Sequence, residues 1–352
     1  MGRYSDNYLN HLLECFIPDK TFRISPIDIG FINDTYLVES PTGPEYVLQR
    51  INPAVFSNAE ALMANISLAL QKLDNRDYQK ITLVQSCDNK PYFKDGKGYW
   101  RLMTYIPDSI TYSTTDKEQI AFEAGRIIGR FHHLLANAPL KEYVDTIPDF
   151  HNLPKRIHQF EDAITTTSAN KLKSAQKALG FIESTYPLLE PLTREVLPMR
   201  ICHNDTKLNN ILFSKSTQTA LCLIDLDTIM KGYFYYDFGD AARTIVNTAQ
   251  EDEKNLEKIT FEPHLFKALV AGIATNDPFL SQEEIKTLPL GTVFMPFIHG
   301  VRALTDYLNH NKYYKVSYEN QNLDRCLILF DFTEKALDHL HFMQECINNK
   351  LA

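Results

Sequence analysis

The stretch Cys202-His203-Asn204-Asp205-Thr206-Lys207-Leu208-Asn209-Asn210, followed by Leu223-Ile224-Asp225-Leu226-Asp227, decides how the rest of the chain reads. It has the form His-x-Asp-x-x-x-x-Asn, with a second acid where an apolar run ends. Phosphoryl transfer needs this set of groups. One carboxylate orients an attacking hydroxyl, and an amide oxygen and a second carboxylate hold a divalent cation against the phosphates. A lone Asp after a strand is more often a turn or capping residue. His203 before it and Asn210 after it turn Asp205 into a candidate catalytic base, a role that contributes roughly a hundred- to ten-thousand-fold in rate.

Asn210 and Asp225 are the candidate Mg²⁺ ligands, because a hard cation takes oxygen donors and Mg²⁺ keeps few protein contacts beside phosphate and water. Asp225 directly follows the apolar run Leu221-Cys222-Leu223-Ile224, a strand end that would aim a carboxylate. Asp227 lies on the same strand phase and reads equally as a second metal ligand or a structural partner. Lys207 could neutralise charge on a transferring phosphoryl group. His203 suits holding the loop by hydrogen bonds better than moving a proton, since Asp205 already fills that role. Tyr236-Asp237-Phe238-Gly239-Asp240 contains a literal Asp-Phe-Gly, the letters of a kinase metal motif, but no apolar strand leads into it. Asp237 and Asp240 read instead as braces for the catalytic loop, with Arg243 as a partner, or equally as acids at a helix N-terminus. His132 and His133 are adjacent on a helix and cannot share a face, which speaks against a metal there.

A chain of 352 residues with a net charge of -8 has room for two lobes and carries no long basic run, so a nucleic-acid partner is not expected. The six cysteines contain no Cys-x-x-Cys pair, which fits a reducing cytoplasm better than a zinc site or a disulfide framework. Asp6, Asn7, Asn10, His11 and Glu14 exclude a signal-peptide core, and Asp6 stands where a myristoylation signal needs Ser or Thr. No apolar run is long enough to span a bilayer, so no membrane association is expected.

Strands are expected at residues 27–29, 36–38, 46–51, 81–85 and 99–105, with a helix over 57–73 capped by Ser57 and Glu60. Three strands, a helix and two strands make the small nucleotide-binding lobe of a kinase. Helices are expected over 117–136, 155–186, 263–274, 293–309 and 323–348, with strands at 199–202, 211–213 and 220–226 carrying the motif. The expected class is α+β, a protein-kinase-like bilobal fold: a small β-rich N-terminal nucleotide-binding lobe over residues 1–106 and a large, mainly helical catalytic and substrate-binding lobe over 107–352. In the small lobe Gly30-Phe31-Ile32-Asn33-Asp34-Thr35 could present backbone N–H groups to phosphates. With one glycine it is no Walker loop, and taken alone an ordinary hairpin explains it. Gly30, Asn33, Thr35 and Gln49 are candidate nucleotide contacts, and Met103 and Tyr105 in the hinge would read the base through backbone groups.

These segments resemble the aminoglycoside phosphotransferase and choline kinase superfamily over nearly the whole chain, and look most like its N-acetylhexosamine 1-kinase branch. The resemblance rests on residues 30–36, 47–52, 203–210, 225–228 and 236–240, and near the end on Arg302-Ala303-Leu304-Thr305-Asp306-Tyr307-Leu308 and Asn322-Leu323-Asp324-Arg325. It implies ATP as co-substrate, Mg²⁺ as cofactor, and N-acetylglucosamine or N-acetylgalactosamine converted to the 1-phosphate. It also implies Asp205 as the base that meets the substrate, Asp225 and Asn210 on the metal, and Arg302 and Tyr313 facing the sugar or its nascent phosphate. One departure matters. The third strand of the small lobe usually carries a lysine that pairs with the α- and β-phosphates. Gln49 stands there, and Arg50 points to the other face. Charge at the phosphates would then come from Mg²⁺ and Lys207. The alternatives are a kinase for another small alcohol (an aminoglycoside, choline or homoserine), with Gln250-Glu251-Asp252-Glu253 as a source of carboxylates, or a nucleotide-binding pseudokinase. A protein kinase is disfavoured, because no Ala-Pro-Glu follows the second acid.

Overall fold

The computed structural model describes residues 4–27, 32–251, 253–276 and 278–351. Its first element is helix α1 (Asp6–Glu14), started by the Ser5 hydroxyl accepting from Tyr8 N. Leu9, Leu12 and Leu13 share one face of this helix and are buried with Phe16 against Tyr36, Val38, Leu48, Trp100 and Leu102. Those partners come from an antiparallel sheet of order β1-β2-β3-β5-β4, made of β1 (Arg23–Pro26), β2 (Asp34–Ser40), β3 (Gly43–Arg50), β4 (Phe93–Asp95) and β5 (Gly98–Thr104). Of the first strand expected at 27–29, residues 28 and 29 lie outside the described residues, and β1 precedes it. Residues 81–85 make no regular strand. Leu83 forms an isolated bridge to Met103, beside a bond from Val84 N to Leu102 O of 2.9 Å.

Helix α2 (Ala59–Leu70) is capped by Asn58, whose Oδ1 accepts from Ala61 N at 3.0 Å. The expected Ser57–Glu60 capping box does not form. Glu60 instead accepts from the Tyr99 hydroxyl at 2.9 Å. At mid-helix, Asn65 is 1% exposed and donates to Ile229 O at 2.9 Å and Val144 O at 2.8 Å. The small-lobe helix is thereby bonded to the backbone just beyond Asp227.

Helices dominate the larger lobe: α3 (Glu118–Leu134), α4 (Leu153–Thr166), α5 (Ala169–Leu189), α6 (Phe234–Ile245), α7 (Pro263–Ile273), α8 (Gln282–Leu308), α9 (Gln321–Asp338) and α10 (Leu340–Leu351). Two small sheets lie among them. Strands β6 (Ser109–Ile110), β8 (Ile211–Ser214) and β9 (Ala220–Leu223) pair in that order, and β7 (Arg200–Cys202) pairs with β10 (Met230–Gly232). The helix expected over 155–186 breaks at Thr167, because Ser168 caps a new helix by accepting from Lys171 N. Helix α8 runs the other way from expectation. It starts at a capping box of Ser281 and Glu284 and continues through Pro289 and Pro296. An isolated helix would break there; this one is buried along most of its length, and its packing overrides the local cost. Among the described residues no helix is long and apolar enough to cross a membrane.

Candidate active site

Two antiparallel pairings build the catalytic loop. β7 delivers the chain to His203 while pairing with β10, with Cys202 opposite Met230. β8 receives it after Asn210 while pairing with β9, with Ile211 opposite Leu223. This register sets Ile224 beside Asn210, and Ile224 N donates to Asn210 O at 2.8 Å. Strand pairing thus sets the two ends of the loop and Asp225 side by side.

Buried side chains fix the loop's backbone. Asp237 Oδ1 accepts from Asn204 N at 2.7 Å, and Oδ2 accepts from His203 N at 2.8 Å. The same Oδ2 lies 2.8 Å from His132 Nε2, and Thr206 Oγ1 donates to Asp237 O at 2.6 Å. Asp237 therefore braces the loop. The Asp-Phe-Gly letters sit inside α6, where Gly239 is required by packing: a Cβ there would strike the Gly291 carbonyl of α8. His132, Cys202 and Asp237 cluster closely enough to suggest a metal, but the Asp237 oxygens already carry these three donors.

His203 Nε2 lies 2.8 Å from Ile224 O, and Asp205 N donates to Nδ1 at 3.3 Å. Both contacts are satisfied by a neutral ring protonated at Nε2, which leaves no lone pair for a substrate proton. Asp205 Oδ2 accepts from Asn210 Nδ2 at 2.8 Å and stands 3.1 Å from Lys207 Nζ. Asn210 Nδ2 also donates to Asp205 O, which leaves the Asn210 amide oxygen as a ligand atom. Burial works against the Lys207 ammonium, but Asp205, Glu251 and Asp225 outweigh it and hold its pKa above the usual lysine value.

Asp225 has a left-handed backbone (φ 58) that turns the chain out of β9 into a short 3-10 turn over Leu226–Thr228. Its carboxyl is solvent-accessible but walled in by protein. Desolvation, then the neighbouring Asp227 and Asp205 carboxylates, push its pKa up to about 6. Crowded oxygen donors whose ionisation is disfavoured without a cation fit a hard divalent metal.

On the small-lobe side, Asp227 is 3% exposed, and both its oxygens are occupied. Oδ1 pairs with Arg101 Nη1, and Oδ2 accepts from Asn33 Nδ2 at 2.6 Å. Arg101 also donates to Gln49 Oε1 from Nε at 3.0 Å and Nη2 at 2.7 Å, while Gln49 Nε2 donates to Thr35 Oγ1 at 3.1 Å. Asn33, Thr35 and Gln49 thus form one ladder that ends on Asp227. Arg101 is thus a further cation on this side, beside the Lys207 named from the sequence, with its guanidinium held by Asp227 and Gln49. Sequence reasoning missed Arg101. Its signal is a charge inside the apolar run Trp100–Met103, directly across the sheet from Gln49. Gly30 lies outside the described residues. Met103 lies one residue before the end of β5, opposite Val47, and Tyr105 N donates to Glu45 O at 2.8 Å, so that N–H is already used.

Beside Asn204 lies a second polar group of residues. His151 Nε2 is 3.2 Å from Asn204 O, and its Nδ1 is buried without a partner among the described residues. Burial, then His299 and Arg302, lower the His151 pKa well below the ordinary value and keep the ring neutral. Asp240 Oδ1 stands 3.4 Å from His299 Nε2 and takes Arg243 Nε at 2.7 Å. Among the described residues, Asp240 Oδ2 and Arg156 Nε are buried with no hydrogen-bond partner. Arg302 lies with its guanidinium 4.8 Å from the Phe150 ring centre. Tyr313 is 59% exposed, and its N–H donates to Asp306. Arg302 and Tyr313 both act on the charge of Arg156, which burial holds below the usual arginine value. Sequence reasoning did not find His151 or His299, because single histidines at these spacings carry no pattern. Glu251 pairs with Arg243 at 2.7 Å and Glu253 with Lys258 at 2.9 Å; Asp252 lies outside the described residues.

The sequence profile of the phosphotransferase enzyme family matches residues 23–261, more than half of the chain, and the chain belongs to that family. Solved structures share the fold at low identity. A microcompartment-associated aminopropanol kinase aligns at 17% identity over 97% of this chain and 99% of its own, with a TM-score of 0.64. Spectinomycin phosphotransferase, in complex with ADP and its antibiotic, aligns at 13% over 98% and 99%, with a TM-score of 0.63. Amicoumacin kinase, bound to AMP-PNP, Ca²⁺ and its antibiotic, aligns at 14% over 96% and 94%, with a TM-score of 0.62.

Proposed function

We propose that the chain is an ATP-dependent kinase of small molecules that phosphorylates the anomeric hydroxyl of N-acetylglucosamine or N-acetylgalactosamine, giving the sugar 1-phosphate. The observation that carries the phosphoryl-transfer reading is the meeting of Asp205, Asn210 and Asp225 on one braced loop and one strand end. Asp205 is the base: it accepts the hydrogen bond of the attacking hydroxyl and takes its proton. Lys207 sits on the same carboxylate and would offset charge developing on the transferred group. Asp225 and the Asn210 amide oxygen would hold Mg²⁺, which when bound neutralises the phosphates. Both Asp227 oxygens are engaged by protein donors, which supports the structural partner over the second ligand. Asn33, Thr35 and Gln49 would lie on the donor side, with the base at the Met103–Tyr105 segment.

The polar group beside Asn204 supports a neutral acceptor. It presents a neutral His151, His299, Arg156 and Arg302, and its one carboxylate, Asp240, is held ionised by Arg243 and His299 despite its burial. An amino-alcohol or aminoglycoside cation calls for uncompensated carboxylates at that place. Glu251 and Glu253 are paired elsewhere. Hydroxyls and an amide can instead use the unpartnered nitrogens and the Asp240 oxygen. Arg302 and Tyr313 would lie at the edge of this acceptor site.

Phosphorus NMR of the purified protein with ATP, Mg²⁺ and a panel of acceptors tests the reading. The expected result is an anomeric phosphate from N-acetylhexosamines and no ester from choline, ethanolamine or an aminoglycoside. An ester on an amino alcohol would overturn the sugar assignment. ATP left intact with every acceptor would make the chain a nucleotide-binding pseudokinase.

A further inference from the structure

Away from the catalytic loop, a pocket of about 640 Å³ opens where the loop after α2, helix α3, the start of β9 and the end of α7 meet. Its volume is within the range of sites that take metabolite-sized ligands. Arg76, Arg126 and Arg130 all line it, against the single carboxylate of Asp77. Arg126 is already satisfied: Nε donates to Glu123 at 2.8 Å and Nη2 to Ala220 O at 2.6 Å. Arg130, one helical turn on, is different. Its Nε is buried without a hydrogen-bond partner, and no ion pair reaches its guanidinium among the described residues. A guanidinium cannot shed its proton, so withdrawal from water without a counter-charge is unfavourable, and its planar fork matches the oxygens of a phosphate or carboxylate. Neutral hydrogen-bonding side chains complete the wall: Gln79, Thr219, Thr275 and Asn276.

We infer that this pocket binds an anionic small molecule, a phosphomonoester of a polyhydroxylated compound, with the phosphate on Arg130 and Arg76 and the hydroxyls on the Thr219, Thr275 and Asn276 side. The size of the pocket separates this ligand from a bare ion, because inorganic phosphate would fill only a corner of it. The ligand would also rest on the strand that leads to Asp225. Gln79 N donates to Leu221 O at 2.8 Å, and β9 ends at Leu223, just short of that carboxylate.

The test is calorimetric titration of the full chain with glucose 6-phosphate, and separately with inorganic phosphate, after saturation with ADP and Mg²⁺ to occupy the nucleotide site. One saturable site is expected for glucose 6-phosphate, with inorganic phosphate weaker by at least about tenfold. Arg130→Met and Arg76→Ala should each weaken binding by about tenfold or more. Lys80→Ala, near the pocket but not lining it, should leave binding unchanged. Melting temperatures and ATP consumption of the same preparations establish that the variants are folded. Absence of saturable binding, equal affinity for the two probes, or unchanged affinity in both arginine variants would each overturn the inference. Because the variants lie outside the catalytic loop, failure of the proposed kinase activity would show in ATP consumption and leave this titration readable.

Discussion

The two halves of the candidate active site, a proposed catalytic half and a proposed nucleotide half, are held together in different ways. The catalytic half is made from chain segments close in sequence. His203, Asp205 and Asn210 are bonded to each other and to Ile224, and Asp237 holds two successive backbone N–H groups from one turn of α6. The nucleotide half is made from distant strands. Thr35, Gln49, Arg101 and Asn33 form a ladder that reaches the large lobe through one carboxylate, Asp227. The first half keeps its geometry through many short-range bonds. The second concentrates its hold in one buried ion pair, where loss of either partner strands the other without water.

Removal of the base should show the largest effect. Asp205→Asn should lower turnover by roughly a hundred- to ten-thousand-fold while leaving ADP binding near its original strength, which a coupled ADP-release assay and a nucleotide titration measure. Retained turnover would take the catalytic half out of the comparison.

Next comes the pair that joins the halves. Arg101→Met or Asp227→Leu alone should cost about 3–5 kcal/mol in unfolding free energy, the usual loss when one member of a buried pair is removed. The double variant should recover a large part of it, as denaturant unfolding would show. Strictly additive losses would mean that Arg101 and Asp227 do not depend on each other.

Asp237→Asn sharpens the contrast from the other side. An amide offers one acceptor oxygen where the carboxylate offers two, so one of the His203, Asn204 and His132 donors is left unsatisfied. A loss of about 1–3 kcal/mol is expected, smaller than for Arg101 because the remaining loop bonds persist. A loss above that of Arg101→Met would reverse the ranking of the two halves.

The smallest effect is electrostatic. Asp225 titrates at about 6 in the folded protein against an ordinary 3.8. Its ionisation is therefore disfavoured by folding, an unfavourable contribution absent below pH 3.8 and fully developed above about 6. Without metal, Asp225→Asn should melt about 2 °C higher at pH 7.5, the shift expected of about 1 kcal/mol after allowance for solvent screening. The difference should vanish as pH falls below 4. Added Mg²⁺ should reverse the order at neutral pH by stabilising only the carboxylate form. A variant that melts lower than wild type at pH 7.5 without metal would mean that the Asp227 and Asp205 charges do not press on Asp225.

Legibility followed the same division. Asp205, Asn210 and Asp225 were readable because their spacing is set by a loop between adjacent strands, and the bracing acid Asp237 was readable because it sits on the next helix. Asn33, Thr35 and Gln49 were picked out as nucleotide contacts, but nothing in their spacing says that they bond to one another. The capping box at Ser57 matched a local rule and failed, because Tyr99 from another strand takes the Glu60 carboxylate. Pro289 and Pro296 gave strong local stop signals, and burial of α8 overrode them.

The sequence by itself determined the reaction chemistry and the two-part layout, since motif spacing and hydrophobic periodicity are properties of neighbouring residues. Only the tertiary structure decided that Arg101 stands behind Gln49, that both Asp227 oxygens are taken by protein donors, and that His151 and His299 meet beside Asn204. Those outcomes depend on charges brought together from far along the chain, and the energy of a buried charge is set by what surrounds it in space.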